Sequence, residues 1–316
     1  MFTYVCRRLL AVVPTLLAVL FIVVLLTRLI PGNVVDVLLS DQPQGNSKAD
    51  RAAIEHRLGL DDPIYVQFAK YTANVARGDF GRSLWSQKPV AETIFSRLPV
   101  SLELAVMSLG FSIVAAIGIG ILSAIRQGSV LDYVLRSAAV AALSVPSFAI
   151  ATVVIVLPAL WFGWTPPLFY KSFGEDPSAH LLHLVTPAVI IGLGSASLMR
   201  LTRTAMLEVL RQDYIRTARA KGLVGRVVIF RHALKNAMIP VVTLLGLQVS
   251  VAISGSVVME QMFNIPGLGR LLIDALAVRD YPTIQAITLI TAVGVILVNL
   301  LVDISYVFFD PRIKVS

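Results

Sequence analysis

Charged residues and cysteine are both scarce in this chain of 316 residues. Only 15% of the residues are charged and 56% are hydrophobic, whereas a soluble globular protein has about 25% charged residues. The composition therefore predicts a membrane protein. The single cysteine, Cys6, excludes an intramolecular disulfide. The sequence also lacks a G-x-x-x-x-G-K-[ST] phosphate-binding loop, so ATP hydrolysis by a P-loop in this chain is excluded.

Six apolar segments are long enough to cross a bilayer, which takes about 20 helical residues. They run over 9–30, 99–125, 134–162, 181–204, 237–260 and 283–309. The first follows Arg7 and Arg8 and has some likeness to a secretory signal peptide. It is too long for the apolar core of a signal peptide and no small-residue cleavage site follows it, so we expect an uncleaved anchor helix. We therefore predict an all-α, polytopic membrane protein.

Lys and Arg in the connecting segments predict the orientation of the chain. With the N-terminus inside, the inner segments carry 15 Lys and Arg and four acidic residues; these segments are 1–8, 126–136, 200–236 and 310–316. The outer segments carry 11 Lys and Arg and 12 acidic residues; these are 31–98, 163–182 and 261–282. We therefore expect both termini in the cytoplasm. The net charge of +8 then reflects this inner excess and its attraction to anionic lipid, with no need for nucleic-acid binding.

The spans divide the chain into four regions. We predict an anchor helix over 1–30, an extracytoplasmic helical cap over 31–98, a five-helix core over 99–309 and a cytoplasmic tail over 310–316. In the cap, Ser47 can begin one helix over 48–58, and Asp62 with Pro63 can begin a second that Gly78 ends. One face of the second helix carries Ile64, Phe68, Tyr71 and Val75 at helical spacing. Two roles stay open for this cap, a purely structural lid and a surface that contacts a ligand.

The inner loop 205–236 carries apolar residues at a regular spacing that a simple connecting loop would not need. Leu207, Leu210, Tyr214 and Ala218 recur at helical spacing and predict one amphipathic helix from Met206 to Lys221, ended by Gly222. Gly225 allows a second change of direction, a shorter helix can follow, and Pro240 then lies in the first turns of the fifth span. Two interpretations are open: an amphipathic helix on the lipid surface, or an elbow that docks a cytoplasmic protein.

Several stretches carry a resemblance to a known family. They are "LGLDDPIYVQFAKY" at 58–71, "GDFGRS" at 78–83, "DYIRTARAKG" at 213–222, "RHALKNAMIPVVT" at 231–243, "EQMFNIPGLGRLL" at 260–272 and "NLLVDISYVFFDPRIKV" at 299–315. Together and in this order they resemble the permeases of ABC importers, in particular the dipeptide/oligopeptide/nickel branch, over essentially the whole chain. The general importer pattern is Glu-Ala-Ala, three residues, then Gly. Here Arg216, Thr217 and Ala218 precede Gly222, so the Glu and the first Ala are absent, and the distance to Pro240 is longer.

The resemblance implies a type I ABC importer fold in a bacterial inner membrane. It implies a second homologous permease, two ATPase subunits that bind ATP and Mg, and an extracytoplasmic substrate-binding protein as partners, with no cofactor and no enzymatic activity in this chain. It also places the ATPase-coupling contact on the inner loop, at Asp213, Tyr214, Arg216, Thr217, Ala218, Arg219, Lys221 and Gly222. Di- and oligopeptides are the implied cargo; glutathione, a nickel chelate, an opine or an oligosaccharide are alternatives.

One stripe of the fifth span carries small and polar residues, namely Thr243, Gly246, Ser250 and Ser254. Such a stripe allows close helix packing, or it lines a translocation path. Three acidic residues lie in spans, namely Glu103, Glu260 and Asp303. Glu103 and Glu260 can reach the membrane interface, and Asp303 can pair with a basic residue of the inner loop or pack against a neighbouring helix. We therefore expect a structural role for each rather than a substrate site.

Two other function classes are disfavoured. An ion-driven secondary transporter often has inverted repeats and broken helices, and we find no internal repeat in the sequence. A membrane-embedded enzyme needs a catalytic set, and no Ser/His/Asp grouping or carboxylate pair is present. His180, His183 and His232 have no neighbouring Cys or carboxylate cluster, so we expect no metal site.

Overall fold

The computed structural model describes residues 2–29, 61–167 and 169–309, and this part of the chain is helical apart from turns and one isolated β-bridge between Arg82 and Pro89. The helices are α1 (Phe2–Leu29), α2 (Ile64–Ala76), α3 (Val90–Ile125), α4 (Val130–Ser144), α5 (Ser147–Phe162), α6 (Pro177–Leu193), α7 (Ala196–Leu210), α8 (Asp213–Ala220), α9 (Gly225–Val227), α10 (Leu234–Met262), α11 (Leu268–Ala277) and α12 (Tyr281–Phe309). A π-helical turn, Val228–Ala233, joins α9 to α10. The predicted all-α class is confirmed.

The long apolar helices coincide with the predicted spans. Among the described residues, three stretches are long and apolar enough to cross a membrane: Val90–Ile125, Gly225–Gly246 and Tyr281–Leu301. Two bent helix pairs, α4 with α5 and α6 with α7, raise the number to five if each pair forms one span. Among the described residues of α1, the stretch Leu10–Leu25 is an apolar helix, and it lies within the first predicted span, 9–30.

Two of the predicted spans are not continuous helices, so the prediction of an unbroken helix is wrong for them. The segment 134–162 is broken between α4 and α5, whose axes differ by 96°. Val145 there has an extended backbone, the conformation that a following proline imposes, and Pro146 cannot continue a helix. The segment 181–204 is broken at Gly194 and Ser195, where α6 and α7 meet at 54°.

The chain divides into two compact units. The first comprises residues 1–99 and 267–296. Its core consists of Val90, Ile94, Leu268, Ala286 and Ile287. A turn over 79–89 is fixed to the segment before α12, because the backbone N–H of Leu84 donates to Asp280 Oδ1 at 3.1 Å. The indole Nε1 of Trp85 also donates to the carbonyl of Val278, at 2.8 Å.

Helix α2 of this unit confirms the second helix of the predicted cap. Ile64, Phe68, Tyr71 and Val75 are all partly buried, whereas Tyr65 on the other face is 72% exposed. The Phe68 ring meets the ring of Phe21 on α1 edge-to-face at 5.8 Å. The helix ends before Gly78, which adopts φ +79° as the predicted stop requires. Pro63 precedes the helix as its N-cap instead of lying in its first turn, and the predicted helix over 48–58 lies outside the described residues.

The second unit comprises residues 100–266 and 297–316. Its largest buried side chains fall in three clusters. One packs α3, α5, α6 and the end of α10 around Leu104, Leu184 and Phe263. Another packs α3, α4, α7 and α10 and combines small residues such as Ala116 and Ala139 with the larger Leu198 and Met199. The remaining cluster holds the loop between α7 and α10.

Candidate functional site

The loop between α7 and α10 begins with a change of direction. The predicted single helix from Met206 to Lys221 is wrong, because α7 ends at Leu210 and α8 begins at Asp213. Gln212 has an extended backbone at the start of α8. Asp213 then places a negative charge in the first turn, where it stabilises the positive end of the helix dipole. The loop therefore presents a separate helix of 8 residues.

Helix α8 has one face buried in its own chain. Ile215 and Ala218 are buried there and share a cluster with residues of α3, α7, the π-helical turn and α10: Ile121, Ala124, Ala205, Met206, Val228, Ala233 and Ala237. The opposite face is polar, with the Asp213 and Arg216 side chains 94% and 76% exposed. This helix is therefore fixed by a narrow apolar stripe and presents charge outward.

The predicted coupling residues all lie on or next to α8, and all of them except Ala218 are at least partly exposed. Tyr214 is 42% exposed, and its Oη accepts a hydrogen bond from Asn236 Nδ2 at 2.7 Å. Thr217 Oγ1 donates to the carbonyl of Asp213 at 3.0 Å. Arg219 and Lys221 are exposed at the end of the helix. Ala218 instead contributes to the buried stripe that holds the helix in place.

Gly222 ends α8 as the sequence predicts. Its φ is +78°, in the left-handed region that L-residues with a Cβ avoid. The N–H of Gly222 donates to the carbonyl of Arg219 at 2.9 Å, and the N–H of Leu223 donates to that of Ala218 at 3.4 Å. This pair of bonds is a Schellman motif. A Cβ on Gly222 would meet no other atom within 4 Å, so only the backbone conformation requires glycine there.

The exit from the loop differs from expectation. Gly225 begins a helix that continues through the π-helical turn into α10, without the predicted separate short helix. Pro240 is the seventh residue of α10, which agrees with the prediction that it lies in the first turns of the fifth span. The π-helical turn, Val228–Ala233, allows this continuity because a π-turn shifts the hydrogen-bond register. The fifth span and the loop therefore form one helical arm.

His180 and His183 are buried and both are hydrogen-bonded. His180 lies with Nε2 2.8 Å from Glu103 Oε1 and Nδ1 2.9 Å from the carbonyl of Lys171. His183 Nε2 lies 2.8 Å from the carbonyl of Phe263. Tyr170 packs edge-to-face on both imidazoles, at 5.5 and 5.9 Å. Both histidines are on α6, and they fasten this helix and the segment before it to α3 and to Phe263, the residue after α10.

Asp176 caps the N-terminus of α6. Its Oδ1 accepts from the N–H of Ala179 at 3.0 Å, and its carboxylate also bonds Ser178 and Lys171. These three donors, the backbone N–H foremost, lower the pKa of Asp176 to about 2. The cap therefore stays ionised throughout the physiological pH range.

The ionisable residues predicted in spans have structural partners where they are described. Glu103 pairs with His180, and Glu260 is fully buried and accepts a hydrogen bond from Ser101 Oγ at 2.8 Å. The side chain of Asp303 lies outside the described residues.

The predicted stripe on the fifth span is partly described. Thr243 is exposed and its hydroxyl donates to the carbonyl of Ile239 at 3.3 Å, and Gly246 is buried. The side chains of Ser250 and Ser254 lie outside the described residues. A role for this stripe in translocation stays a prediction.

Two polar networks were not found by the sequence reasoning. Arg203 near the end of the fourth predicted span binds Asp132, and Gln248 within the fifth lies between Ser195 and Ser197. The signal for each was available, since a charged residue or an amide within an apolar span needs a partner. The identity of the partner could not be predicted, because the partner comes from a distant part of the chain.

Two family models match this sequence. The model of the "Binding-protein-dependent transport system inner membrane component" matches residues 116–315. The model of the N-terminal part of the same membrane components matches residues 1–105. The two matches together take in nearly the whole chain.

Several curated proteins are similar over their full length. The glutathione transport system permease protein GsiC of Salmonella choleraesuis is 39% identical over 99% of each chain. The di/tripeptide transport system permease protein DppB of Pseudomonas aeruginosa is 38% identical over 99% of each. The dipeptide transport system permease protein DppB of Alkalihalophilus pseudofirmus is 38% identical over 99% of this chain and 100% of its own.

A solved structure of an amino acid ABC transporter with histidines has the same fold. Its chain superposes with a TM-score of 0.51 over 69% of this chain and 94% of its own. The sequence identity is 15%, so the likeness concerns the fold alone.

Proposed function

Because this chain belongs to the family of binding-protein-dependent transport system inner membrane components, the permeases of ABC importers, we propose that it imports di- and oligopeptides. It forms half of the translocation path and a second, homologous permease forms the other half. Two ATPase subunits bind ATP and Mg and drive the transport, and an extracytoplasmic protein delivers the cargo. Both termini lie in the cytoplasm.

The two-faced character of α8 is the observation that carries the coupling proposal. Its apolar residues Ile215 and Ala218 are already buried against the permease itself. The outward face offers Asp213, Arg216 and Arg219 to a polar partner. A short, firmly packed helix with a charged outer face can dock in a groove on an ATPase subunit and transmit its motion.

The same two-faced character argues against a helix that rests on lipid. Such a helix inserts an apolar face into the bilayer surface. In α8 the apolar stripe is not available for that, because Ile215 is fully buried in its own chain.

Peptides are the proposed cargo because two of the similar permeases named above belong to dipeptide or di/tripeptide systems. Glutathione, itself a modified tripeptide, is the second candidate, since another similar permease belongs to a glutathione system. The stripe of Thr243, Gly246, Ser250 and Ser254 is proposed to line the path. A path for varied peptides has to bind weakly for fast release, so the binding protein supplies most of the specificity.

Charge reversal on α8 tests this function in the assembled importer. The double variant Arg216→Glu, Arg219→Glu should lower peptide uptake and cargo-stimulated ATP hydrolysis at least about tenfold, because each reversed ion pair costs on the order of 1 kcal/mol or more. Arg126→Glu, an exposed basic residue of another inner loop, is the matched control and should leave both rates unchanged. Normal uptake by the double variant would exclude α8 as the coupling contact.

A further inference from the structure

A chain of polar side chains crosses the second unit at the break between α6 and α7. The amide Nε2 of Gln248, on α10, donates to Ser197 Oγ at 3.2 Å. The Gln248 Oε1 accepts from Ser195 Oγ at 3.5 Å. Ser195 Oγ in turn lies 2.6 Å from Ser112 Oγ on α3. Helices α3, α7 and α10 are thus connected at one level of the bundle.

This level is connected to the elbow, which is the loop 211–233 that carries α8, through the two helices that flank the loop. Helix α7 starts at the break, beside Ser195, and runs directly into the turn before α8. Helix α10 is the arm that leaves the elbow, and it carries Gln248. The polar chain therefore joins the incoming arm to the outgoing arm, well away from the elbow itself.

Helix α7 is also pressed tightly against α3. A Cβ on Gly120 of α3 would lie 2.7 Å from Thr202 Cβ and 2.9 Å from the carbonyl oxygen of Met199. Gly120 therefore allows α3 and α7 to lie in direct backbone contact. The cluster that packs α3, α4, α7 and α10 contains three buried alanines, Ala116, Ala139 and Ala196, beside the larger Leu198, Met199 and Val241.

Apolar packing between helices is non-directional, so it specifies the register of two helices less strictly than a directed contact does. A hydrogen-bonded amide is such a directed contact, because sliding α10 along α7 would break both hydrogen bonds of the Gln248 side chain. Ser112 and Ser195 are both buried. The Gln248 amide is thus a directed contact that adds to the apolar packing in fixing the register of α10 relative to α7.

We propose that Gln248 is a positioning residue for transport coupling: it locks the two arms of the elbow together so that they move as one body. This proposal rests on the proposed role of α8 as the ATPase contact. With the lock, a displacement of the elbow reaches the level of the α6–α7 break. Without it, the displacement is lost as sliding of α10 along α7.

Substitution of a residue that locks the two arms and substitution of a residue that only stabilises the fold have different effects on transport. Loss of a structural residue lowers the amount of folded permease, and ATP hydrolysis and uptake then fall in proportion. Loss of a lock leaves the complex assembled and lowers uptake per ATP hydrolysed. The ratio of the two rates therefore separates the two roles.

The experiment uses the complete importer reconstituted in proteoliposomes, with a labelled dipeptide delivered by its binding protein. Gln248→Leu removes both hydrogen bonds at similar volume, and Gln248→Asn keeps a carboxamide. Thr152→Val is the control, since that hydroxyl donates to the carbonyl of Phe148 in its own helix, at 2.9 Å. We expect Gln248→Leu to lower the number of dipeptides imported per ATP about fivefold, the worth of one typical hydrogen bond, with partial recovery in Gln248→Asn and an unchanged ratio in Thr152→Val.

A distance measurement gives a readout that does not depend on the cargo. Spin labels at Gly174→Cys and Val224→Cys, in a Cys6→Ser background, report motion between the segment before α6 and the elbow. We expect ATP with vanadate to change this distance in the wild-type background and to change it much less with Gln248→Leu. An unchanged import ratio together with a full distance change in Gln248→Leu overturns the lock. If the wild-type importer shows neither peptide import nor a distance change, the proposed function fails, and the lock fails with it.

Discussion

Arg203 and Asp132 form a bidentate ion pair that connects α7 to the first turn of α4. Arg203 Nη2 lies 2.7 Å from Asp132 Oδ2, and Arg203 Nε lies 2.9 Å from Asp132 Oδ1. Asp132 is buried, and its carboxylate also accepts from Ser123 Oγ and from the N–H of Gly128. The pair therefore fixes the C-terminal end of α3, the loop after it and helix α7, which leads to the elbow.

Breaking this pair on one side should destabilise the permease strongly. Arg203→Met leaves Asp132 buried without its cation, which costs about 3–5 kcal/mol. The double variant Arg203→Met, Asp132→Leu removes both charges and should recover much of that loss. Thermal unfolding of the purified permease in detergent measures both. A double variant as unstable as Arg203→Met would contradict this account of the pair.

The turn at Gly222 should tolerate only residues that accept a positive φ. Gly222→Val should strain the backbone by about 1–2 kcal/mol and lower cargo-stimulated ATP hydrolysis. Gly222→Asn should be milder, because Asn adopts the left-handed conformation more readily. Gly225→Ala is the control, since Gly225 is helical and a Cβ there meets nothing within 4 Å. Equal activity for Gly222→Val and Gly225→Ala would show that the turn is not needed.

The contact between Phe68 and Phe21 should hold α2 against α1. Phe68→Asp places a charge in that contact, and we expect lower stimulation of ATP hydrolysis by the binding protein and faster proteolysis near the end of α2. Tyr65→Asp is the matched change on the exposed face of the same helix and should behave as wild type. If Phe68→Asp also behaves as wild type, the packing of this face has no part in transport.

Labelling from outside tests the predicted orientation. In a Cys6→Ser background, a cysteine at Gly174 should react with a membrane-impermeant thiol reagent added to intact cells. A cysteine at Val224 should react only after the cells are opened. Reactivity of Val224→Cys in intact cells would reverse the topology.

Much of this architecture can be predicted from the sequence, because the hydropathy of a segment and the backbone freedom of a glycine determine structure at their own positions. An apolar run predicts a span wherever it lies, and Gly222 ends a helix through its own backbone. The break at Pro146 was missed because the flanking residues are apolar on both sides, so the run reads as one span. The break beside Ser195 was missed because serine and glycine are tolerated within membrane helices.

The orientation of α8 could not be predicted because it depends on long-range packing. Helical spacing alone places Tyr214 and Ala218 on one face with Leu207, provided that the helix is continuous. Once it restarts at Asp213, Ile215 and Ala218 form the buried pair. The contacts of Gln248 and Arg203 also join residues that are more than 50 positions apart, and no local pattern encodes them.

Crosslinking from the outer face of α8 tests the coupling claim most directly. A photoreactive amino acid in place of Arg219 is placed in the assembled importer, and the covalent partner is identified after illumination. The account predicts a crosslink to the ATPase subunit, in a yield that changes with bound nucleotide, and no such product from the same group at the buried position of Ile215. Crosslinks to lipid alone from position 219 would contradict it.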